Sequence, residues 1–382
     1  MSEWIRMKLT ECCSSIADGD HQPPPKVETG VPFVTISNMT STNQFDFSDT
    51  LFVPQDYYDK LDEKRKARKD DILYSVVGSF GIPVFMKEDK AFVFQRHIAI
   101  LRPDNEKIVP RFLFYTMLTK DFYAKADAAA IGAAQRTVSL TALRNMEIGI
   151  PDKIQQSKIL DTLAAYDDLI ENNQKQIKLL EEAAQRLYKE WFVDFRFPGY
   201  EDIEIVDGLP VGWKKQGLSE IAPILTGKKD ANFGTEDGEY LFFTCAQEPI
   251  KAPSYSFDCD AVILAGNGDF NVKLYRGKFE AYQRTYIFSP FNSEHLYMLY
   301  HAVRENMRQL FQGASGSTIK FLTKRMLEDI MVYIPDEQLL KKYNDNAEVI
   351  QRKIECLKDS INKATEARDR LLPKLMSGEI EL

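Results

Sequence analysis

Residues 150–187 read IPDKIQQSKILDTLAAYDDLIENNQKQIKLLEEAAQRL, and residues 334–371 read IPDEQLLKKYNDNAEVIQRKIECLKDSINKATEARDRL. Laid on each other without a gap, these 38-residue stretches share twelve identities: Ile150/Ile334, Pro151/Pro335, Asp152/Asp336, Lys158/Lys342, Asp161/Asp345, Ile170/Ile354, Glu171/Glu355, Ile177/Ile361, Glu182/Glu366, Ala183/Ala367, Arg186/Arg370 and Leu187/Leu371. Ordinary compositions would give roughly two matches, so the chain contains an internal duplication. Each copy also has a heptad rhythm. Ile159, Leu163, Tyr166, Ile170, Asn173, Ile177, Leu180, Ala184, Leu187 and Trp191 alternate spacings of four and three, as do Tyr343, Ala347, Ile350, Ile354, Leu357, Ile361, Ala364, Arg368, Leu371 and Leu375. That is the seam of a coiled coil, roughly 50 Å of helix in each copy at about 1.5 Å per residue. Asn173 at a seam position either fixes register or faces water near a helix crossing. Pro198 and Gly199 are expected to end the first helix, and Pro373 to interrupt the end of the second.

Each half begins on a similar phrase, Trp4-Ile-Arg-Met-Lys-Leu9 and Trp213-Lys-Lys-Gln-Gly-Leu218, the second preceded by the turn residues Gly208-Leu-Pro-Val-Gly212. From tryptophan to the Ile-Pro-Asp landmark the halves span 147 and 122 residues, whereas the stretches after the landmark align without gaps. Variable cores are joined to fixed-length connectors. The expected organisation is residues 1–151 and 198–335 as two similar domains, the second taking shape near residue 205, with connector helices at 152–197 and 336–382. A second helix packed antiparallel to the first would return toward domain one, so that the domains point in opposite senses about a pseudo-twofold axis. That arrangement suits the local dyad of duplex DNA, whose half-sites lie roughly 34–36 Å apart.

Within the domains the pattern is strand-rich. Asp71-Ile-Leu-Tyr-Ser-Val-Val77 leads into the turn Gly78-Ser-Phe-Gly81 and a return run from Ala91 to Leu101; Asp260-Ala-Val-Ile-Leu-Ala265 leads into Gly266-Asn-Gly268 and a return run from Ala281 to Phe288. The pairs Gln95-Arg96 and Gln283-Arg284 are read as equivalent, at a shift of 188. Helical stretches from Arg111 to Lys125 and Glu294 to Phe311 follow. The expected fold class is α+β: two similar domains separated and joined by two long antiparallel coiled-coil helices.

Composition sets outer bounds. The 382 residues are 44% hydrophobic and 12% aromatic, enough for two ordinary domains with connectors. The start, MSEWIRMKL, lacks a seven-residue apolar core, and the longest uncharged run, Ile72 to Met86, is broken by Gly78, Gly81 and Pro83, so the expected address is the cytosol. Five cysteines without a C-x-x-C pair suggest reduced thiols rather than a disulfide framework or zinc knuckle. A formal net charge of −8 argues against a generally basic coat, so any nucleic-acid site must be a local patch.

Taken together, the tryptophan opening each half, a glycine turn followed by a Gln-containing run, and Ile-Pro-Asp leading into a heptad helix resemble the specificity subunit of a Type I restriction-modification system. Gly132-Ala-Ala-Gln-Arg-Thr137 before Ile150-Pro151, with Gln155 and Ile159 after it, is similar to that family's recurring phrase, and Gly313-Ala-Ser-Gly-Ser-Thr318 before Ile334-Pro335 and Gln338 repeats it. The second copy departs at Asp336-Glu337-Gln338, where an apolar residue before Glu-Gln is usual, and the first has Gln155-Gln156. The resemblance covers essentially the whole chain. It implies two target-recognition domains, each reading one half of a split DNA sequence, and helices that set the gap and dock two copies of an adenine-methylating modification subunit, which a translocating endonuclease subunit can join. On this reading the chain is not an enzyme and holds no cofactor; S-adenosylmethionine, ATP and Mg would belong to the partners.

Base reading in the major groove needs bidentate side chains, chiefly Arg to guanine and Gln or Asn to adenine, while Lys, Ser, Thr and backbone amides hold phosphates. The candidates are Gln95, Arg96 and His97, with Gln283 and Arg284, each set following a glycine turn; then Arg136 and Thr137, and Ser317, Thr318 and Lys320, in glycine-containing loops; then Lys228 and Lys229. The competing assignment is that such side chains only satisfy neighbouring carbonyls or carboxylates. The run Lys64-Arg-Lys-Ala-Arg-Lys69 is an electrostatic candidate or the polar side of a short helix. His21 with Pro23, Pro24 and Pro25 marks a rigid structural loop of polyproline character. For the helix seam the candidates are Leu163, Tyr166, Ile170, Asn173, Ile177, Leu180, Leu187, Ile350, Ile354, Leu357, Ile361 and Leu371.

Enzymatic signatures are sparse. There is no phosphate-binding G-x-x-x-x-G-K-[ST], no H-E-x-x-H, and four scattered histidines give no metal spacing. Asp71 followed by Glu88-Asp89-Lys90 has the rough order of a Mg-dependent nuclease site, but no proline precedes Asp71 and the second half has no counterpart. The other rival is a protein-interaction scaffold with two peptide-binding domains, toward which the acidic balance leans.

Overall fold

The strand at the start of each half pairs with the strand just before its Ile-Pro-Asp landmark. In the computed structural model, which describes residues 4–21, 24–40, 42–132, 135–268, 270–314 and 320–382, Ile5–Lys8 runs antiparallel to Glu147–Ile150 with Ile5 opposite Ile150. Lys214–Gly217 does the same with Met331–Ile334, Lys214 opposite Ile334. A single helical turn follows each opening strand, Leu9–Cys12 and Leu218–Ile221. The carboxylate three residues on accepts the backbone N–H in front of each turn: Lys8 N to Glu11 Oε2 at 2.7 Å, Gly217 N to Glu220 Oε1 at 2.8 Å, one arm of a capping box.

The chain divides into two units, residues 1–171 with 361–382, and residues 172–360. In the first, an antiparallel sheet has the order Cys13–Asp18, Ile98–Pro103, Ile72–Ser75, Pro83–Phe85, and a second sheet has the order Leu51–Val53, Val31–Val34, Val93–Phe94, the last pair parallel. In the second unit one six-stranded sheet has the order Ile224–Thr226, Thr285–Phe288, Phe257–Ala265, Val272–Ala281, Tyr240–Phe243, Ile250–Ala252. The difference lies in one strand. Val272–Ala281 is continuous and pairs on both sides, whereas Met86 to Phe92, carrying Lys87-Glu88-Asp89-Lys90, separates Pro83–Phe85 from Val93–Phe94. Four successive charged side chains cannot alternate between core and solvent as a buried strand requires.

The run Ala91 to Leu101 is therefore not one strand. It bends after Phe94, and Ile98 N donates to Gln95 O at 3.0 Å to close a turn; Ala281 to Phe288 bends likewise, Thr285 N donating to Tyr282 O at 2.8 Å. The helical stretch from Arg111 is also broken, into Pro110–Leu118 and Lys120–Ala129, because Thr119 is extended and its Oγ1 caps the second helix at Phe122 N. In the second unit the counterpart is a single helix, Leu296–Gly313.

The two long helices are Lys153–Tyr188 and Glu337–Met376. In the first unit Arg368 reaches Asp167 at 2.9 Å and Lys158 reaches the Leu382 carbonyl at 2.8 Å; in the second Asn173 Nδ2 donates to Ser360 Oγ at 3.0 Å and the Trp191 and Tyr343 rings lie 5.8 Å apart. As the position in one helix rises, its partner's falls, so the segments run antiparallel in each unit. Ile159, Leu163, Asn173, Ala184, Trp191, Tyr343, Ala347, Ile354, Leu357, Ala364 and Leu375 are buried, and Tyr166, Ile170, Ile177, Leu180, Leu187, Ile350, Ile361, Arg368 and Leu371 are half-buried. Two helices cover a seam from one side only, which leaves its edges partly wet. The charged seam residue Arg368 is matched by Asp167, which also accepts from Tyr115.

Both helix ends differ from the sequence expectation. The first helix stops before Pro198: after a wider π-type turn at Lys189–Val193, Phe195 adopts a left-handed φ of 54° with its ring edge-on to Trp213 and Tyr333 at 5.4 and 5.5 Å. Aromatic packing, not proline, ends it. The second runs through Pro373 to Met376. The lost N–H costs one hydrogen bond a turn from the end, and the burial of Leu372 and Leu375 offsets it.

Each unit's core joins the start of one long helix to the end of the other. Ile159, Leu163 and Leu375 pack with Leu9, Tyr74, Phe112 and Tyr115; Tyr188, Phe192 and Tyr343 pack with Trp213, Phe288 and Leu299. The opening tryptophans mark the same junction, Trp4 lying against Gly378 and Trp213 against Phe192, Phe195 and Phe197.

His301 in the second core is 4% exposed, shares a 3.2 Å hydrogen bond with Gln185 Oε1, and lies against Tyr300 and Tyr188. Burial, with Arg304 adding repulsion, lowers its pKa to about 3. The unfolded chain binds a proton at this residue below about 6.5 while the folded one does not, so stability is lost as pH falls from there toward 3, at about 1.4 kcal/mol per unit. Urea unfolding at pH 7, 6 and 5 should show His301→Gln with a shallower acid decline than the parent; equal slopes would remove His301 from the account.

Candidate nucleic-acid interface

Four segments meet on each unit, held by matching backbone hydrogen bonds. In the first, Val76 N donates to His97 O (2.9 Å), Gly78 N to Arg136 O (2.9 Å), Val138 N to Val76 O (2.8 Å) and Arg96 N to Asp20 O (2.9 Å). In the second, Gly266 N donates to Arg284 O (2.8 Å), Gly268 N to Lys320 O (3.2 Å), Leu322 N to Gly266 O (2.8 Å) and Gln283 N to Lys229 O (2.9 Å). The glycine turn, the bend after the strand and the later cationic loop thus form one face in each unit. Gly78 and Gly268, at φ of 68° and 65°, supply the left-handed backbone the turns need.

This framework corrects the pairing of the two Gln-Arg dipeptides. The bends match as Gln95-Arg96-His97 with Tyr282-Gln283-Arg284, a shift of 187 rather than 188, so Arg96 stands where Gln283 does and His97 where Arg284 does. Arg136 and Lys320 are true counterparts. The dipeptide identity misled because one residue of slip leaves the letters aligned while moving each side chain to the next place in the turn.

Two further residues went unnoticed in the sequence. A Cβ on Gly19 would lie 2.2 Å from Phe94 O, and one on Gly227 would lie 2.1 Å from Tyr282 O. Only glycine lets these strands pass that close, and each brings the next residues, Asp20 in one unit, Lys228 and Lys229 in the other, onto the bend. The signal was available as a glycine 15 residues after Trp4 and 14 after Trp213.

The predicted side chains differ in what already holds them. Arg96 and Arg284 are exposed, and among the described residues neither guanidinium has an ion-pair or hydrogen-bond partner. Gln283 donates to Asp230 at 2.8 Å. Arg136 is paired with Asp127 and lies over the Phe80 ring. Lys229 sits over Phe233 at 4.4 Å, Lys320 over Phe311 at 3.9 Å and Lys228 beside Phe257 at 5.4 Å, which holds the ammonium groups without neutralising them. Thr137 is half-buried and bridges to Val77. His97 is half-buried with its pKa lowered, first by burial and then by Arg96, so its ring favours the neutral form. Ser317 and Thr318 lie outside the described residues.

Other sequence candidates are accounted for by local bonding. In the Lys64–Lys69 run, Lys66 and Arg68 both pair with Glu63, at 2.7 and 2.5 Å, and Arg65 approaches Asp18 at 3.7 Å, around a short turn at Glu63–Arg65. His21 in the proline loop bonds Asp18 at 2.7 Å. Asp71, the first carboxylate of the nuclease reading, is 1% exposed and takes two hydrogen bonds from Arg102 and one from Arg68 N. Asp89 accepts from Lys69 N. These carboxylates do not converge, and among the described residues no cluster of His, Cys, Asp and Glu could hold a metal ion.

Each α+β unit carries a glycine-framed, cation-bearing loop face and an antiparallel pair of heptad-helix segments, which defines the class as a duplicated α+β fold with long heptad helices. A family model described as "Type I restriction modification DNA specificity domain" matches residues 1–182, a little under half of the chain, and the chain is similar to curated specificity subunits of Type I restriction-modification systems. It is 37% identical over 178 residues to the EcoDI specificity subunit of Escherichia coli, a match covering 45% of this chain and 39% of that one. It is 25% identical over 308 residues to the MjaIX specificity subunit of Methanocaldococcus jannaschii, covering 72% and 70%. The fold resembles the crystal structure of a Type I system S subunit from M. genitalium, with a TM-score of 0.58 at 18% identity over 98% of this chain and 96% of that one.

Proposed function

We propose that this chain is the non-catalytic address reader of a cytoplasmic Type I restriction-modification complex, each unit laying its loop face on one half of a bipartite duplex target. The observation that carries this reading is the double occurrence of one face, built on the same hydrogen-bond framework but furnished with different side chains: Gln95, Arg96, His97, Arg136 and Thr137 on one unit, Lys228, Lys229, Gln283, Arg284 and Lys320 on the other. A conserved frame with changed furniture is what reading two unlike half-sites from one ancestral unit requires. Arg96 and Arg284 have guanidinium groups uncommitted within the described residues and suit bidentate contact with guanine; the lysines suit phosphates. The long helices set the unspecified gap between half-sites and dock two adenine-methylating modification subunits, with an endonuclease subunit joining them; S-adenosylmethionine, ATP and Mg belong to those partners.

In the assembled complex, Arg284→Ala should weaken binding by about 1–3 kcal/mol and relax discrimination in one half-site only. Arg96→Ala should do so in the other half, and Lys228→Ala should lower affinity evenly while reducing the salt slope by about 1. Equal loss on both halves from Arg284→Ala would point to misfolding or general phosphate binding instead. Inserting one heptad within 163–187 and another within 347–371 lengthens each helix by about 10 Å and should change the number of unspecified base pairs; an unchanged spacer would remove the helices from that role.

A further inference from the structure

The two faces differ in one place that the reading above does not use. Phe33 and Phe242 occupy the same ladder position: Phe33 lies opposite Leu51 and beside Val93, one residue before the bend strand ends at Phe94, and Phe242 lies opposite Ile250 and beside Glu280, one residue before Ala281. Phe242 is fully buried, and Phe233, from the loop after Lys229, stands edge-on to it at 6.1 Å with the Lys229 ammonium 4.4 Å above its ring. In the first unit the described residues of the loop after Asp20 supply no phenylalanine; its one aromatic ring, the His21 imidazole, is tied to Asp18 at 2.7 Å and lines the cavity at that place. Phe33 is half-buried and forms part of a cavity of about 340 Å³, whose walls include Leu51, Phe52 and Pro24 and whose rim includes Gln95, Arg96 and Lys26.

One unit therefore keeps empty the space that the other fills with an aromatic side chain under a cation. Its walls are mostly apolar, its volume is at the small end of ligand pockets, and its polar lining is a carboxamide, two cations, the His21 and His97 imidazoles and the Asp20 carboxylate, which accepts from Tyr57. A flat ring with hydrogen-bonding edges and a phosphate attached matches all three. We propose, resting on the specificity reading, that this cavity receives an extrahelical nucleobase from the bound DNA, seated in the apolar slot lined by Phe33, with Gln95 reading its edge and Lys26 on the adjoining phosphate. Unstacking a base costs free energy that stacking against an aromatic side chain in part returns, so the device discriminates by how readily a base leaves the helix.

The test uses the complete complex of this chain with its modification subunit and duplexes carrying the mapped target, with 2-aminopurine placed at each position in turn except the adenine to be methylated, which a methyltransferase must itself unstack. Binding is followed in parallel by anisotropy of an end label. The expected result is a rise in 2-aminopurine fluorescence at one position of one half-site. Leu51→Trp, which adds a ring at a residue 47% exposed, and Phe33→Leu, which removes the ring face, should each suppress that rise while the complex keeps its melting temperature and still binds. Duplex bound tightly with no bright position would overturn the pocket assignment and leave the specificity reading standing. Absence of duplex binding would overturn both. A melting-temperature increase with deoxynucleoside monophosphates that Leu51→Trp abolishes, without any bright position in DNA, would assign the cavity to a free nucleotide and overturn the proposal.

Discussion

Replacing Asp71 with Ala lowers the stability of the first unit by about 3 kcal/mol, the low end of what breaking a buried ion pair costs. Asp71 joins two layers of that unit. Its carboxylate takes Arg102 Nε at 2.9 Å and a second guanidinium nitrogen at 2.8 Å, plus the backbone N–H of Arg68 at 2.9 Å. Arg102 in turn donates to the Lys66 carbonyl at 2.9 Å, so the pair pins the loop 63–68 against the strands Ile72–Ser75 and Ile98–Pro103. Removing the carboxylate strands a cation whose side chain is only 21% exposed; that residual exposure is why the low end of the range applies. Urea unfolding checks the magnitude, and adenine methylation at a permissive temperature checks its origin. The specificity account expects lower stability with the same target motif, whereas a fully stable variant that had lost a function would revive a catalytic role for this carboxylate.

The second large effect lies in the helix seam. Ile354 is 4% exposed, and a carboxylate placed there by Ile354→Glu would be desolvated with no cation of the seam beside it in the second unit, the seam's Arg368 being committed to Asp167 in the first. Losing the isoleucine alone costs about 2–5 kcal/mol, and the buried charge adds to it. The variant is expected to fail to assemble with its modification subunits and to melt well below the parent. Asn173 supplies the control. It is equally buried, yet its amide donates to Ser360 at 3.0 Å, so Asn173→Leu puts an apolar side chain in an apolar seam, leaves only the half-buried Ser360 hydroxyl to re-pair, and should change stability by no more than about 1 kcal/mol. Circular dichroism melts of the three proteins distinguish the cases; an Ile354→Glu variant as stable as Asn173→Leu would mean that the seam does not hold the helices together.

The parts of this molecule that show in its sequence are those where burial imposes a period. Two helices that share a seam must repeat apolar residues every three or four positions, and both copies do so from Ile159 and Tyr343 onward. The duplication showed because the connectors tolerate no insertion, whereas the domain cores do. The face was legible in its parts, glycine turn, bend and later loop, because left-handed backbone calls for glycine. What stayed hidden depends on contacts distant in sequence. The slip that pairs Arg96 with Gln283 is visible only in which carbonyl each bend presents, and Asp127 commits Arg136 across nine residues. The merging of two sheets into one turns on whether Met86 to Phe92 can stay in a strand, and the plugging of one slot by Phe233 depends on the path of a loop. The proline rules failed at both helix ends for different reasons: packing of Phe195 on Trp213 stops the first helix before Pro198 is reached, and burial of Leu372 and Leu375 outweighs the one hydrogen bond lost at Pro373.

Mapping methylated adenines by single-molecule sequencing, in a host carrying this chain with its neighbouring modification subunit and in the same host with the chain deleted, tests the central claim most directly. The account predicts a bipartite motif, two specified halves around an unspecified gap, that is methylated in the first strain and absent from the second. Methylation of the same motif persisting after deletion would contradict it.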